Sequence, residues 1–144
     1  MSHSKMIVIP TAYLGPVSYF AQIVKADEVL VEVWEHYIKQ TWRNRCRIMT
    51  ANGPLNLIIP VLKVHGNHTK VKDIEIDYSE KWQRLHWRAI ESAYKHAPYF
   101  MFYEDLLKPF YEQKITGLLD FNRQITATLL SILGLQKNIK FQLL

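Results

Sequence analysis

The chain has 144 residues, of which 49% are apolar and 22% charged, with five glycines, six prolines and a net charge of +5. This composition is typical of one globular domain and excludes a disordered or collagen-like chain. The single cysteine, Cys46, excludes an internal disulfide and fits a reducing compartment. No stretch reaches the roughly 18 apolar residues of a membrane helix, and the first apolar run, 6–9, is too short for a signal peptide. We expect a cytoplasmic protein without a membrane span.

The first 33 residues have the pattern of a strand, a helix and a second strand. The β-branched run 6–9 predicts a short buried strand. Apolar residues three and four positions apart predict a helix over 17–24, and a second β-rich run follows at 29–33. Two strands joined in this way normally pair in parallel through a right-handed crossover. The sequence therefore predicts an N-terminal βαβ unit.

The next segment has the pattern of a β-hairpin. The apolar runs 45–50 and 55–61 flank residues 51–54, which contain the turn dipeptide Asn-Gly. Alternating apolar residues then predict a strand over 71–77. Asp77 and Glu80 have the spacing of a capping box, which predicts a helix over 79–97.

The rest of the chain is predicted to be mainly helical. An aromatic-rich segment predicts a short helix over 99–107, and an apolar stripe predicts a long helix over 118–133 with Gly134 as its C-cap. Alternation at 139–143 predicts a last strand. The predicted fold class is α/β: an N-terminal βαβ unit with a β-hairpin extending a mixed sheet, followed by a mainly helical second half.

The positive charge is concentrated in one segment. Lys39, Arg43, Arg45 and Arg47 lie within a stretch that contains no acidic residue, so this stretch is a candidate anion-binding segment. The alternative is structural ion pairing, because residues 27–35 carry four acidic side chains. Nucleic-acid binding normally needs a basic stripe and a recognisable reading motif. The chain has neither, so nucleic acid is an unlikely partner.

Portable catalytic motifs are absent from the sequence: there is no glycine-rich phosphate loop, nucleophile elbow or zinc-protease helix. His65 and His68 have the spacing of a metal-binding pair but lack a neighbouring cysteine or carboxylate, so no metal and no cofactor is predicted. His36 and His86 are the candidates for acid–base catalysis. The alternative for His86 is a hydrogen-bonded histidine of the core. Cys46 fits a small buried hydrophobe better than a nucleophile.

Segment 34–45 combines aromatic, amide and basic side chains directly after a predicted strand. Arginine binds phosphate or carboxylate through two parallel hydrogen bonds, and aromatic faces stack on sugars or bases. The carboxyl end of a parallel strand is also where α/β folds bind ligands. The alternative is an irregular segment that covers the core.

Longer motifs run through nearly the whole chain. They are Pro10-x-x-Tyr13-Leu14-x-Pro16-x-x-Tyr19-Phe20, Tyr37-x-Lys39-Gln40-Thr41-Trp42-Arg43-Asn44-Arg45-Cys46, Asp73-Ile74-x-Ile76-Asp77-Tyr78 and Trp82-Gln83-x-Leu85-His86-Trp87-Arg88. Together these motifs resemble the WbqC-like family, which is functionally uncharacterised and linked to O-antigen and other surface-polysaccharide gene clusters. The resemblance implies a role in polysaccharide biosynthesis. It also implies a single domain over residues 1–144 that lacks the C-terminal segment of longer family members.

Three hypotheses for function follow from these residues and this resemblance. The first is a protein that acts on a nucleotide-activated sugar or related anionic metabolite. Whether this protein is an enzyme stays open; if it is, the expected class is a transferase that acts on the activated sugar. The second is a non-catalytic binding or scaffold subunit of the same pathway, with residues 99–111 against a protein partner. The third is a nucleic-acid-binding domain. The candidate ligand-binding residues are the anion clamps Lys39, Arg43 and Arg45 and the pocket residues Tyr13, Tyr19, Gln40, Trp42 and Asn44.

Overall fold

A computed structural model of the protein describes residues 5–62, 69–135, 137 and 139–142. Three of its strands form a parallel sheet in the order β1-β2-β5: β1 (Met6–Ile9), β2 (Glu28–Glu32) and β5 (Ile139–Gln142). Helix α1 (Val17–Lys25) connects β1 to β2, which confirms the predicted βαβ unit. The predicted last strand is also confirmed, and its pairing makes β2 the central strand of the sheet.

Strands β3 (Arg45–Thr50) and β4 (Gly53–Ile58) form the predicted hairpin. The α/β class is confirmed, but the hairpin forms its own two-stranded antiparallel sheet and does not extend the parallel one. Strand β5 takes the second edge of β2 in the parallel sheet. The turn itself is shorter than predicted, because Gly53, with φ of 109°, already pairs with Thr50 as the first residue of β4.

The predicted strand over 71–77 is wrong. Residues Val71–Asp73 form a 3₁₀ turn, and Glu75 and Ile76 make only isolated bridges, to Gly117 and Val61. Ile74 and Ile76 are buried, as the alternating pattern requires. The Ile74 carbonyl and the Ile76 amide bond to residues 116–118, whereas the Glu75 carbonyl and the Asp77 amide bond to residues 60–62, so the segment makes short contacts with two separate parts of the chain. An alternating apolar pattern sets burial, whereas a strand also needs one continuous partner.

The second half is helical, as predicted, with α2 (Trp82–Tyr94), α3 (Phe100–Leu107) and α4 (Leu118–Ile132). The predicted capping box at the start of α2 is wrong, because the Asp77 carboxylate accepts a hydrogen bond from the Ser79 backbone in a local turn before the helix. Gly134 ends α4 as predicted. Its φ is 71°, and two backbone hydrogen bonds, from Gly134 to Ser131 and from Leu135 to Leu130, form a Schellman motif.

Helix α4 contributes to both apolar cores of the described chain. Its first half, including Phe121 and Ile125, packs in the larger core with the hairpin and α2. Leu130, near its end, packs in the smaller core against α1 and the parallel sheet. No helix in the described part of the chain combines the length and the apolar character needed to cross a membrane.

Shortening Leu118 to alanine tests the importance of this shared helix. Leu118 is 0% exposed, so Leu118→Ala is expected to lower the free energy of unfolding by about 2–5 kcal/mol through lost burial and a new cavity. Leu133, just after the same helix, is 58% exposed. Leu133→Ala should therefore change the free energy of unfolding by less than about 0.5 kcal/mol. Urea unfolding of both variants measures the difference, and equal effects would contradict this account of α4.

Candidate functional site

A cleft of about 730 Å³, here called the α4 cleft, lies between α4 and the parallel sheet. Its sheet side is lined by Val31 of β2 and Ile139 of β5, and Thr11 lies two residues beyond the end of β1. The cleft therefore includes the carboxyl end of a parallel strand, where open α/β sheets commonly bind ligands.

Polar and basic side chains line the helix side of the α4 cleft. Thr126 and Ser131 contribute hydroxyl groups, while Arg123 and Lys137 contribute positive charge. Arg123 pairs with Asp120, and the Lys137 Nζ donates a hydrogen bond of 2.9 Å to the Ala26 carbonyl. The described lining includes cations and hydroxyl groups but no carboxylate, a composition suited to an anionic, hydroxyl-rich molecule.

Asn122 is the most deeply buried polar residue of this lining. Its side chain is 1% exposed, and its Nδ2 donates a hydrogen bond of 2.8 Å to the Arg43 carbonyl. The Oδ1 of the same amide is buried and has no hydrogen-bond partner among the described residues. Buried acceptors in native proteins are rarely left unpaired. Asn122 therefore offers an acceptor for a hydroxyl or amide group of a ligand.

A second pocket of about 390 Å³, the side pocket, adjoins the α4 cleft and shares Thr11 and Tyr19 with it. Its lining includes Trp42 and Arg43, so three of the residues predicted from sequence come together here. The Tyr19 hydroxyl donates a hydrogen bond of 2.8 Å to the Pro10 carbonyl. Burial, together with the nearby Glu35 carboxylate, raises the pKa of Tyr19, which keeps the phenol protonated.

Arg43 makes a two-pronged ion pair with Glu35. Its Nε and Nη2 donate hydrogen bonds of 2.7 and 2.9 Å to the two carboxylate oxygens. The two side chains are 12% and 16% exposed, and Nη1 donates to the Thr41 hydroxyl at 3.3 Å. Arg43 is therefore paired with a carboxylate of the acidic stretch 27–35, which is the structural alternative to anion binding. The anion-clamp role of Arg43 stays a prediction.

The other residues of the predicted segment are divided between the surface and the interior. Gln40, Trp42 and Arg45 line a pocket of about 280 Å³, the hairpin pocket, together with Arg47 and Asn56. The Nε of Arg45 is buried and has no hydrogen-bond partner among the described residues.

Asn44 and Lys39 lie outside the pockets described so far. The Asn44 side chain is buried, and its Nδ2 donates a hydrogen bond of 2.9 Å to the Ile59 carbonyl. Lys39 is exposed. The predicted residues therefore do not form one continuous site.

Tyr13 and His86 belong to a buried hydrogen-bond network. The Tyr13 hydroxyl lies 2.9 Å from His86 Nδ1 and 2.8 Å from the Tyr111 hydroxyl. His86 Nε2 lies 3.0 Å from the Ile58 carbonyl. A carbonyl only accepts, so Nε2 carries the proton, Nδ1 accepts from Tyr13, and Tyr13 accepts from Tyr111.

This network keeps its members uncharged. Burial lowers the pKa of His86 to about 4, although the hydrogen bond to Ile58 opposes the shift. Burial also raises the pKa of Tyr13 and of Tyr111. His86 thus has the surroundings of a hydrogen-bonded core histidine, and neither it nor Tyr13 lines the α4 cleft. A catalytic role for His86 stays a prediction.

The remaining candidates lie apart from the α4 cleft. His36 is exposed and forms an antiparallel bridge with Lys70. Burial raises the pKa of Cys46 to about 12, which keeps its sulfur a neutral thiol. His65 and His68 lie outside the described residues. Within the described ranges, no three histidine, cysteine or acidic residues are grouped as metal ligands.

Several cleft residues were missed by sequence reasoning. Thr11 lies two residues after the end of β1, so the rule for carboxyl ends of parallel strands would have identified it. Asn122 and Thr126 lie four positions apart on α4 and are both buried. Two polar residues on neighbouring turns of an otherwise apolar helix face are the sequence signal that would have indicated this side of the cleft.

The fold and the cleft define an α/β protein with a polar, basic cleft beside a parallel sheet. The model of the WbqC-like protein family matches residues 11–143, and the chain belongs to this family. It is 32% identical over 136 residues to "Uncharacterized protein Rv1507c" of Mycobacterium tuberculosis. The match covers 94% of this chain but 58% of the relative, so the chain spans little more than half of the relative's length. No solved structure matches the chain.

The buried state of His86 predicts a pH dependence of stability. Its pKa is about 4 in the folded protein and about 6.5 in an unfolded chain, so between these values the unfolded state binds more protons. The contribution of His86 to the free energy of unfolding is therefore fully present above pH 6.5. It falls by about 3 kcal/mol as the pH is lowered to 4.

Urea unfolding between pH 4 and 7 measures this contribution when the protein is compared with His86→Gln, which has no titrating ring. The variant is expected to be less stable throughout but to lose less stability on acidification. Parallel pH profiles for the two proteins would show that His86 does not titrate as its burial requires.

Proposed function

We propose that the chain binds a nucleotide-activated sugar, or a related anionic metabolite, in the α4 cleft during surface-polysaccharide (O-antigen) assembly in the cytoplasm. The observation that carries the proposal is the combination, in one cleft, of basic side chains and the unpaired Oδ1 of Asn122. The link to polysaccharide assembly rests on the family resemblance.

The size of the site supports a ligand of this class. Small-molecule pockets in proteins are roughly 300–1,000 Å³, and the α4 cleft has about 730 Å³. The adjoining side pocket adds about 390 Å³. A nucleotide-activated sugar is elongated, with a base at one end and a sugar at the other, and two neighbouring pockets that share Thr11 and Tyr19 suit such a shape.

Each part of the ligand has a chemically matched group. The phosphates fit near Arg123 and Lys137, because guanidinium and ammonium groups are the usual protein partners of phosphate. A sugar hydroxyl donates to the Oδ1 of Asn122. In the side pocket, Trp42 is half-exposed and presents an aromatic surface on which a base or a sugar ring stacks.

The described lining supports binding and does not decide whether the chain also catalyses a reaction. It has no histidine, cysteine, aspartate or glutamate, but Lys137, Tyr19 and Ser131 are of residue types that act as acids, bases or nucleophiles. An enzymatic form of the proposal is a transferase acting on the activated sugar. The described residues supply the binding and orientation part of such a reaction.

A thermal-shift screen with UDP-glucose, GDP-mannose, dTDP-glucose and inorganic phosphate tests the proposal. At a concentration about 100 times its Kd, a ligand stabilises the folded protein by about 2.7 kcal/mol, which raises Tm by several degrees. We expect at least one nucleotide sugar to raise Tm in this way, and phosphate alone to be weaker because it reaches only the cations.

Two variants identify the site of a ligand found in this screen. Ala127 is exposed and lines the α4 cleft, so Ala127→Trp should block the cleft and weaken binding at least tenfold without disturbing the core. Arg123→Gln combined with Lys137→Gln should weaken binding of a charged ligand to a similar degree. Isothermal titration measures both, with Ala97→Trp, outside the cleft, as the matched control. Undiminished binding to Ala127→Trp would rule out the α4 cleft.

The second candidate function, a binding or scaffold subunit, is favoured by the exposed face of α3. Met101 and Phe102 are 78% and 73% exposed, and Tyr99 and Leu106 are also exposed. Large apolar side chains grouped on one surface are typical of protein-interaction sites. A cooperative melt with no response to any compound in the screen would favour this second function.

A further inference from the structure

The two outer edges of the hairpin differ in their hydrogen bonding. On the β4 side, the Ile58 carbonyl bonds to His86 of α2. On the β3 side, no described strand or isolated bridge pairs with Arg45–Thr50. An unpaired strand edge presents a row of backbone donors and acceptors that another chain can bind.

The register identifies which backbone groups point outwards. The Ile59 amide donates to the Asn44 carbonyl at 2.7 Å, so in this antiparallel ladder the hydrogen-bonded pairs recur at every second residue, 46, 48 and 50. The backbone N–H and C=O groups of Arg45, Arg47 and Met49 then point away from β4. Pro54, which has no N–H, pairs with Met49, as a non-hydrogen-bonded position allows.

A neighbouring segment begins to pair beside β3 and then leaves it. The Tyr13 amide donates a hydrogen bond of 2.8 Å to the Trp42 carbonyl, just before β3 begins. The next residue, Leu14, has φ of 42°, and Pro16 follows shortly after. The left-handed Leu14 and the missing N–H of Pro16 turn the chain away, which leaves the edge beyond it open.

An apolar cavity of about 390 Å³ lies beside this open edge. Three consecutive β3 residues, Cys46, Arg47 and Ile48, line it together with Leu14 and Gly15. The rest of its wall is formed mainly by apolar and aromatic side chains of α2, α3 and α4, including Ile90, Tyr94, Phe100, Leu107, Leu129 and Ile132. The cavity is large enough for one or two large apolar side chains.

We propose that the open edge of β3 binds an extended acidic peptide of a partner protein as a third strand of the hairpin sheet. Side chains opposite each other on neighbouring strands lie on the same face. Alternate peptide side chains therefore lie beside Cys46 and Ile48, towards the apolar cavity, and the others lie beside Arg45 and Arg47. The pattern that fits is acidic, apolar, acidic.

Charge selects this occupant over a second copy of the chain. If two β3 edges paired with each other, the arginines at 45 and 47 of one copy would lie close to those of the other, and like charges on adjacent strands are destabilising. An acidic peptide instead pairs with both arginines. Arginines on an edge strand also serve to prevent aggregation, and in that case no peptide would bind.

The test uses a fluorescein-labelled seven-residue peptide that alternates glutamate with leucine, beginning and ending with glutamate, titrated with the whole chain by fluorescence polarisation. We expect saturable binding that weakens with added salt. Methylation of the peptide nitrogens that face β3 should abolish it by removing the edge hydrogen bonds. Hydrogen exchange at the amides of Arg47 and Met49 should slow on binding.

Protein variants separate the two parts of the proposed contact. Arg47→Glu should weaken binding at least tenfold, while Arg84→Glu, an exposed charge reversal on α2, should leave it unchanged. Ala97→Trp should fill the apolar cavity and weaken binding to a similar degree. Ala127→Trp, which blocks the α4 cleft, should have no effect, so this proposal and the proposed ligand site fail independently.

The proposal is overturned by any of three results. The first is no saturable binding up to about 1 mM peptide. The second is equal binding of the N-methylated and unmodified peptides, which would mean adsorption through side chains alone. The third is sedimentation of the free chain as a dimer that Arg47→Pro, which removes the outward N–H of residue 47, converts to monomers; that result would assign the edge to a second copy.

Discussion

In the described chain the parallel sheet and the hairpin share no backbone ladder, and helix α4 contributes side chains to the apolar cores of both. Its first half packs in the core of the hairpin and its last turns pack against the parallel sheet. Between them, the amide of Asn122 donates to the carbonyl of Arg43 in the segment that leads into the hairpin. The α4 cleft lies along this connection, so the residue that makes this contact also presents a buried, unpaired acceptor for a ligand.

The ion pair between Arg43 and Glu35 shows why local charge density is a weak guide to a binding site. Four cations in one stretch of sequence predict an anion site, but in the fold one of them is neutralised by a carboxylate eight residues earlier. Lys39 is exposed and lies outside the strands, while Arg45 and Arg47 share one face of β3 and line the hairpin pocket. The cations that line the α4 cleft, Arg123 and Lys137, come instead from the other end of the chain.

Features set by neighbouring residues were predictable from the sequence. The βαβ unit, the hairpin, the helices and the Gly134 cap all depend on periodicity or on the residue at one turn. The pairing of β2 with β5 depends on strands about a hundred residues apart, and no local pattern encodes it. Segment 71–77 shows the same limit, because its alternating pattern predicts burial correctly but not a shared partner strand. The α4 cleft is lined by residues of β2, β5 and α4. Because the sequence does not show that β2 pairs with β5, these residues could not be grouped beforehand.

His86 illustrates how burial decides between a structural and a catalytic role for the same side chain. Its two ring nitrogens already bond to Tyr13 and to the backbone of β4, and burial keeps the ring neutral at physiological pH. A proton carrier exchanges protons through a ring nitrogen, and both nitrogens of this ring are hydrogen-bonded within the protein, so the surroundings favour the structural role while the catalytic role stays a prediction. The bond to Ile58 satisfies one outward carbonyl of β4, whereas no described strand or isolated bridge pairs with β3. The open edge of the hairpin is therefore on β3, the strand that carries Arg45 and Arg47 and borders the apolar cavity.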